Sequence, residues 1–331
     1  MNKKIATILG TGSYLPKKIL TNADLEKMVD TSDEWIVSRT GIKERRIASE
    51  EEHASFMGVE AAKIAIERSG IKKEEISCIV FATSSPDYIF PSSAALAQSA
   101  LELEEIPAFD CLTACTGFLY GLSIAKSYVE SGMYENVLLI AADKLSAFVD
   151  YKDRNTCILF GDGASAAVIG NSNRKNEQQI LEVVLGADGS LGELLTLPLG
   201  GSRFPLGNSC SKGKSPYISM EGKEVFKHAV RRMQQASLIC LSKVNLKESD
   251  IDWLVPHQAN QRIIDAIAKR FSISDEKIFL TVERYGNTAA SSIGIALDEL
   301  LALNKVQSKE HMLLVGFGGG LSWGAAILKQ I

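Results

Sequence analysis

Several features are scarce in this sequence, and each absence excludes a class of protein. Aromatic residues make up only 7% of the 331 residues, and the 36 Lys and Arg residues are outnumbered by 40 Asp and Glu residues. A nucleic-acid-binding protein normally has a basic excess, so this class is not expected. No segment approaches the roughly 18 consecutive apolar residues of a membrane-spanning helix, so we expect no membrane insertion.

Cysteine and histidine are also few and scattered. The six cysteines include no Cys-x-x-Cys pair, and the four histidines do not complete a zinc-binding spacing. We therefore expect no metal site. A chain of this length can bury a large core without disulfides, which makes a reducing cytoplasm the expected location.

Short apolar segments separated by glycine or polar residues predict a series of buried strands. The predicted strands cover residues 5–9, 78–82, 137–142, 164–169, 253–255, 312–315 and 325–328. Amphipathic segments of helical length cover residues 57–68, 91–101, 118–130, 224–243, 262–270 and 291–303. Strands and helices alternate along the chain, which predicts an α/β protein.

The order of these features repeats once along the chain. Cys115 follows Ile79, in a predicted strand, by 36 residues, and Asn287 follows Leu254 at a similar distance. We therefore predict two similar halves, 1–171 and 172–331, related by a pseudo-twofold axis that brings Cys115 and Asn287 face to face. Residues 186–220 have no period and are rich in Gly, Ser, Pro and Leu. We expect this segment to connect the halves and to cover part of the site.

Cys115 is the first candidate for a catalytic nucleophile. The surrounding sequence Phe-Asp-Cys-Leu-Thr-Ala-Cys-Thr-Gly-Phe changes from a strand-like to a helix-like pattern at this thiol. A helix N-terminus has partial positive charge and free N–H groups, which favour the nucleophilic thiolate. The alternative is a small core hydrophobe, the usual role of an isolated cysteine. Cys111 is expected to be buried and inert.

Two later segments place polar side chains at the ends of other elements. His257 follows a short predicted strand in Leu-Val-Pro-His-Gln-Ala-Asn, and Asn287 precedes a helix in Tyr-Gly-Asn-Thr-Ala-Ala. Taken singly, they could be a hydrogen-bonded histidine and a helix N-cap. Together with Cys115 they provide a nucleophile, an imidazole and an amide at element ends, where catalytic groups collect.

These motifs resemble those of the 3-oxoacyl-[acyl-carrier-protein] synthase III family. The resemblance rests on Ala-Cys-Thr-Gly-Phe (114–118), Pro-His-Gln-Ala-Asn (256–260) and Gly-Asn-Thr (286–288). It extends over nearly the whole chain, through Asp-Glu-Trp-Ile-Val-Ser-Arg-Thr-Gly-Ile (33–42), Leu-Phe-Gly-Asp-Gly-Ala (159–164) and Gly-Phe-Gly-Gly-Gly-Leu-Ser-Trp-Gly (316–324). It implies a thiolase-like fold with five αβαβα layers, built from two similar halves with mixed five-stranded sheets.

The resemblance also implies the initiating condensation of bacterial type II fatty-acid synthesis. An acyl-CoA primer, expected to be acetyl-CoA, would load Cys115, and malonyl-acyl carrier protein would then lose carbon dioxide and attack the acyl group. His257 and Asn287 are expected to serve decarboxylation more than loading. The backbone N–H groups of Cys115 and Gly319 would form the oxyanion hole. Coenzyme A is then part of a substrate, and no cofactor is expected.

Coenzyme A is expected to contact three residues whose positions match the family motifs. Trp35 and Arg154 would enclose the adenine, because an indole and a guanidinium both stack on a purine. Arg39 would contact a phosphate. Without its motif, Trp35 would be assigned to ordinary packing.

Contacts with protein partners are implied in the same way. Arg262, Lys269 and Arg270 lie near one face of a predicted helix and are expected to dock the acidic carrier protein, although a solvated helix face is the alternative. Phe90 precedes a proline and is therefore expected on a loop rather than a helix. The resemblance places Phe90 across a homodimer interface, lining the acyl pocket of the other subunit.

Other proteins of related sequence would share some or all of these three residues. A ketosynthase-like acyltransferase or a synthase of specialised metabolites would use the same three catalytic residues. An inactive binding protein is disfavoured, because Cys115, His257 and Asn287 are all present. An elongating synthase would have a second histidine in place of Asn287.

Overall fold

The glycine-punctuated apolar segments form strands in the computed structural model, which describes residues 4–172 and 174–331. The strands are β1 (Ala6–Tyr14), β2 (Lys18–Thr21), β3 (Glu44–Ile47), β4 (Cys78–Ala82), β5 (Ala108–Cys111), β6 (Val137–Lys144), β7 (Asp162–Asn171), β8 (Gln178–Ala187), β9 (Leu195–Thr196), β10 (Ser219–Met220), β11 (Trp253–Pro256), β12 (His311–Gly318) and β13 (Ser322–Gln330). Every predicted strand is present.

The amphipathic segments form helices at each predicted place, with ends that differ by a few residues. The helices are α1 (Asn22–Leu25), α2 (Asp33–Thr40), α3 (Ala54–Ser69), α4 (Ser93–Ala100), α5 (Gly117–Ser131), α6 (Gly222–Lys243), α7 (Gln261–Phe271), α8 (Val282–Tyr285) and α9 (Ser292–Ala302). Within residues 4–172 and 174–331, none of the helices combines the length and the hydrophobicity that crossing a bilayer requires.

Nine strands form one mixed sheet, in the spatial order β11-β12-β13-β8-β1-β7-β6-β4-β5. Two sets of strands extend from the centre of the sheet in a similar order. The first set is β1, β7, β6, β4 and β5, and the second set is β8, β13, β12 and β11. The two sets join where β1 pairs with β8 at two positions, Thr7 with Gln179 and Ile8 with Gln178.

The second set has four strands where the sequence predicts five. The fifth position is occupied by an isolated parallel bridge between Leu254 and Ile278. Ile278 follows a helical turn at Asp275–Lys277, and the Phe279 N–H donates to the Leu254 carbonyl. The segment therefore meets β11 over too short a length to become a strand.

Helices cover both faces of the two strand sets. Helix α3 packs on β1, β7 and β6, whereas α6 packs on β13, β12 and β8. Helices α5 and α9 each contact strands of both sets, and their buried side chains share one apolar cluster. The resulting order of layers is helix, sheet, helix, sheet, helix, as expected.

Two turns of nearly identical backbone shape begin α5 and α9. Ala114 has φ 46° and Ala289 has φ 47°, and each is the first residue of a short helical turn that continues into the helix. The structural counterpart of Cys115 is therefore Ala290, which follows Leu254 by the same 36 residues that separate Ile79 from Cys115. Asn287 lies three residues earlier than the pseudo-symmetric position that spacing alone assigned to it.

The turns meet at the centre of the molecule. A Cβ atom added to Gly117 would lie 2.8 Å from the Cβ atoms of both Ala290 and Ala82. Only glycine allows the two helix starts to approach so closely. The nucleophile candidate of the first half therefore lies against the turn of the second half.

Candidate active site

One cavity of about 840 Å³ connects the predicted catalytic residues with the surface. Cys115, His257 and Asn287 line it and are 6%, 3% and 7% exposed, respectively. Trp35 and Arg39, which are more exposed, line the same cavity. The structure thus brings together three residues from distant parts of the chain, and gives them access to solvent on one side.

The Cys115 thiol is held between Asn287 and the end of β12. The Asn287 side chain lies beside the sulfur, where its amide favours the thiolate, and an added Cβ at Gly318 would lie 2.8 Å from the Cys115 nitrogen. Burial, followed by the negative charge of Asp143, raises the pKa of Cys115 to about 12. Burial therefore opposes the lowering of this pKa that was expected from the helix N-terminus.

Asn287 is fixed by its own backbone as well as by its side chain. Its N–H donates to the Leu159 carbonyl at 2.8 Å, and its carbonyl accepts from the Gly161 N–H at 3.0 Å. Its side-chain oxygen accepts from the Ala289 N–H at 2.9 Å. The amide nitrogen is left to face the sulfur of Cys115, so Asn287 is an oriented hydrogen-bond donor.

His257 is a buried, neutral imidazole at the end of β11. Its Nδ1 lies 2.5 Å from the Ser292 hydroxyl, and its backbone N–H donates to the Val315 carbonyl at 2.8 Å. Burial lowers the pKa of His257 to about 3. Because Nδ1 is engaged with Ser292, Nε2 is the ring nitrogen available to a ligand.

Ser292 and Asp143 are two residues beside the site that the sequence reasoning missed. Ser292 lies in a run of small residues at the start of α9, and Asp143 lies near the end of β6. Neither belongs to a spacing pattern that predicts a role. Both are recognisable only after folding has brought the two halves together.

The glycine loop after β12 lies beside the Cys115 turn. Gly318 lines the cavity, while Gly319 faces the Leu195 carbonyl and the Ala114 side chain. The Ser322 hydroxyl lies 2.8 Å from that of Thr116 and connects this loop to the start of α5. The role of the Cys115 and Gly319 N–H groups as an oxyanion hole stays a prediction.

The residues expected to bind coenzyme A form a cluster at the entrance. Ser32 caps α2 by accepting from the Trp35 N–H, which fixes the indole near the Arg39 and Arg154 guanidinium groups. Arg154 lies 4.9 Å from the Trp35 ring centroid. A stacked purine needs more space, so Arg154 must move outward before adenine can be enclosed.

Helix α7 presents the predicted docking residues beside the same entrance. Arg262, Lys269 and Arg270 are all exposed, and Arg262 lines the cavity. Lys223 and Lys227 of α6 also line it, and add positive charge that the sequence reasoning did not include. The Asn260 side chain donates to the Arg39 carbonyl at 3.1 Å and joins α7 to α2.

Phe90 lies on the loop between β4 and α4, as predicted, and is 85% exposed. Tyr88, Ile89 and Leu112 are also exposed apolar side chains, at 60%, 84% and 72%. Phe90 is not among the described residues that line the cavity of its own chain.

The histidine, cysteine and carboxylate side chains of the described residues are dispersed. In residues 4–172 and 174–331, no group of three or more His, Cys, Asp or Glu side chains could hold a metal ion. All six cysteines are free, and Cys210 is the exposed one among them.

Comparisons with known proteins agree with the geometry. Family models described as 3-oxoacyl-[acyl-carrier-protein] synthase III and as its C-terminal part match residues 109–189 and 241–330. The beta-ketoacyl-[acyl-carrier-protein] synthase III of Chlamydia muridarum is 68% identical over 98% of this chain and 99% of its own length.

Solved structures give the same result. The 3-oxoacyl-[acyl-carrier-protein] synthase III of Aquifex aeolicus has a TM-score of 0.90 and 47% identity, covering 98% of this chain and 99% of its own. A priming beta-ketosynthase from the R1128 polyketide pathway has a TM-score of 0.91 and 34% identity, covering 99% of this chain and 97% of its own.

The fold and these matches define an acyltransferase of the thiolase-like class, a condensing enzyme. More specifically, the chain belongs to the 3-oxoacyl-[acyl-carrier-protein] synthase III family. Its function is the initiating condensation of type II fatty-acid synthesis.

Proposed function

We propose that Cys115 carries the acyl group, that His257 moves the proton during loading, and that His257 and Asn287 stabilise the enolate during condensation. The observation that supports this proposal is the convergence of the three side chains on one cavity, with the Asn287 side chain beside the Cys115 sulfur. Acetyl-CoA is the proposed primer and malonyl-acyl carrier protein the proposed extender.

The loading step requires a base, because burial keeps Cys115 in the thiol form at neutral pH. His257 is neutral at that pH and can accept the proton at Nε2 while the sulfur attacks the thioester carbonyl. The oxyanion would be bound by the N–H groups of Cys115 and Gly319. Collapse of the intermediate expels the coenzyme A sulfur, which takes the proton back from His257.

The condensation step needs donors rather than a base. Loss of carbon dioxide leaves its electron pair on the malonyl thioester as an enolate, and no proton is removed. The Asn287 amide and the protonated Nε2 of neutral His257 would donate to the enolate oxygen. The Ser292 hydroxyl can accept from Nδ1 or donate to it, so it supports the histidine tautomer that each step requires.

Labelled acetyl-CoA tests the assignment of the nucleophile. Peptide mapping should place the label on Cys115, and Cys115→Ala should remain unlabelled. Cys111→Ala is the matched control and should keep normal labelling. Label on Cys111, or label retained by Cys115→Ala, contradicts the proposal.

A second candidate is a priming synthase of a specialised pathway. The observation that favours it is the similarity to the priming ketosynthase of the R1128 polyketide pathway. A panel of acetyl-, branched and longer acyl-CoA primers, with loading and condensation measured separately, distinguishes the two. A clear preference for acetyl-CoA in both half-reactions supports the first candidate.

The proposed enzyme is a cytoplasmic homodimer that docks an acidic carrier protein. The apolar surface formed by Tyr88, Ile89, Phe90 and Leu112, beside edge strand β5, supports a homodimer in which this surface is covered. The exposed basic residues of α7 support docking of an acidic carrier protein. The free cysteines and the family's substrates support a cytoplasmic location.

A further inference from the structure

Asp143 is a fully buried carboxylate whose hydrogen-bond partners are all uncharged donors. One oxygen accepts from the Ser84 N–H at 2.7 Å, the Ser85 hydroxyl at 2.9 Å and the Thr83 hydroxyl at 3.2 Å. The other oxygen accepts from the Ala290 N–H at 3.0 Å. A buried carboxylate is costly, and a fold that keeps one uses it to fix the groups around it.

The hydrogen-bond donors to the two oxygens of this carboxylate belong to different halves of the molecule. Residues 83–85 follow β4 in the first strand set, whereas Ala290 lies in the turn that leads into α9. Ala290 is the counterpart of Cys115, so Asp143 binds the N–H group that corresponds to the Cys115 N–H. The Cys115 nitrogen lies against Gly318 at the cavity instead.

The Asn287 turn is shaped by the same bond. Asn287 accepts from the Ala289 N–H, and Ala289 is adjacent to the nitrogen that Asp143 holds. Movement of Ala290 would therefore carry Ala289 and the side-chain oxygen of Asn287 with it. The direction of the Asn287 amide toward the Cys115 sulfur depends on where Ala290 is held.

We propose that Asp143 is a positioning residue for the condensation, which ties the Asn287–Ala290 turn to strand β6 and so aims the Asn287 amide at the reacting atoms. The inference rests on the role proposed for Asn287. Asp143 itself is not among the described residues that line the cavity.

The test is a double-mutant cycle between Asp143→Asn and Asn287→Ala, read by carbon dioxide release from malonyl-acyl carrier protein. An asparagine at 143 must turn its NH₂ group toward either Ala290 or residues 83–85, where donors already point. We expect Asp143→Asn alone to slow decarboxylation by at least about tenfold. In the Asn287→Ala background, the same change should have little further effect, because its target is gone.

Asp298→Asn is the matched control. Asp298 is a buried carboxylate on helix α9, which follows the Ala290 turn. It accepts from Thr11 and Ser13 and pairs with Arg68, and it is not among the residues that line the cavity. The Asp298→Asn variant should change the rate of decarboxylation, measured per folded enzyme, only slightly. If Asp143→Asn does not fold, Ser85→Ala, which removes one bond to Asp143, replaces it in the cycle with a smaller expected loss.

The outcomes separate this inference from the proposed function. If Asn287→Ala alone leaves carbon dioxide release unchanged, the role of Asn287 is wrong. If Asn287→Ala is slow but Asp143→Asn is as fast as the Asp298→Asn control, the positioning role is wrong. If Asp143→Asn slows carbon dioxide release equally in the wild-type and Asn287→Ala backgrounds, its effect is a general structural one, and the inference is also overturned.

Discussion

At the scale of single residues, the site combines a protonated thiol with a neutral imidazole. Burial raises the pKa of Cys115 to about 12 and lowers that of His257 to about 3. The pair is therefore uncharged at rest, and charge separates only when a substrate is bound. An uncharged resting site avoids burying an ion pair without further partners.

The reactivity of Cys115 toward a small alkylating agent tests this resting state. Without substrate, the rate of modification should rise about tenfold per pH unit between pH 7 and 9, because only the thiolate reacts and its fraction rises with pH below the pKa. Mass spectrometry of the Cys115 peptide in a Cys210→Ser background gives the rate. A plateau near pH 7 would indicate a thiolate at rest.

The two half-reactions should separate the roles of His257 and Asn287. Asn287→Ala should keep measurable acetyl-enzyme formation and lose most carbon dioxide release, since Asn287 is a donor rather than a base. His257→Ala should slow both, because loading also needs the proton acceptor. Rapid-quench measurement of the acetyl-enzyme and of ¹⁴CO₂ checks this, and normal loading by His257→Ala would contradict it.

At the scale of elements, the close approach of α5 to the α9 turn sets a steric limit. Gly117→Ala would place a methyl group 2.8 Å from Ala290 and Ala82, neither of which can rotate away. We expect this overpacking to destabilise the fold by about 1–3 kcal/mol. Denaturant unfolding measures the change.

Gly121→Ala is the matched comparison on the same helix. Its new methyl group would meet the end of the Leu139 side chain, which can change rotamer. The gain in helix propensity, about 1 kcal/mol, offsets much of that cost. Equal destabilisation by the two variants would contradict the special role of the Gly117 contact.

Much of the fold could be predicted from the sequence, because buried strands such as β4 and β6 are continuous apolar runs. Strand β8 was missed, since most of its residues are only half-buried and it contains Glu182. The catalytic roles of Cys115, His257 and Asn287 stay predictions, whereas their shared location in one cavity could be predicted from motifs. Asp143 could not, because its partners belong to separate segments that only folding brings together.

The basic face of α7 gives a prediction for carrier-protein docking. Arg262→Glu should weaken the reaction with malonyl-acyl carrier protein several-fold, most strongly at low salt, and leave loading from acetyl-CoA nearly unchanged. Lys305→Glu reverses the charge of an exposed residue beyond the far end of α9 and is the control. Equal losses with both substrates would assign Arg262 to coenzyme A binding instead.

At the scale of the whole molecule, we expect the apolar surface around Phe90 to link assembly to primer choice. If Phe90 limits the acyl pocket of the other subunit, Phe90→Ala should extend the primer range to longer or branched acyl groups without abolishing condensation. A methylene is worth only about 1–3 kcal/mol in such a pocket, so the range should widen gradually. Initial rates with an acyl-CoA series measure this.

A mixed dimer of Phe90→Ala and Cys115→Ala subunits tests whether Phe90 lines the acyl pocket of the other subunit. Its one active cysteine belongs to the Phe90→Ala subunit, and the other subunit supplies a wild-type Phe90. The narrow wild-type primer range is therefore expected. A widened range would place Phe90 in the pocket of its own subunit.

The contrast between the buried Cys115 and the exposed Cys210 has a practical consequence for inhibitor discovery. In a covalent-fragment screen read by intact mass, electrophiles will reach the exposed Cys210 before they reach the buried Cys115. Hits ranked by adduct formation will then be enriched in compounds that leave catalysis intact. Screening the Cys210→Ser protein, or requiring loss of acetyl loading, removes these adducts and directs selection to molecules that enter the cavity.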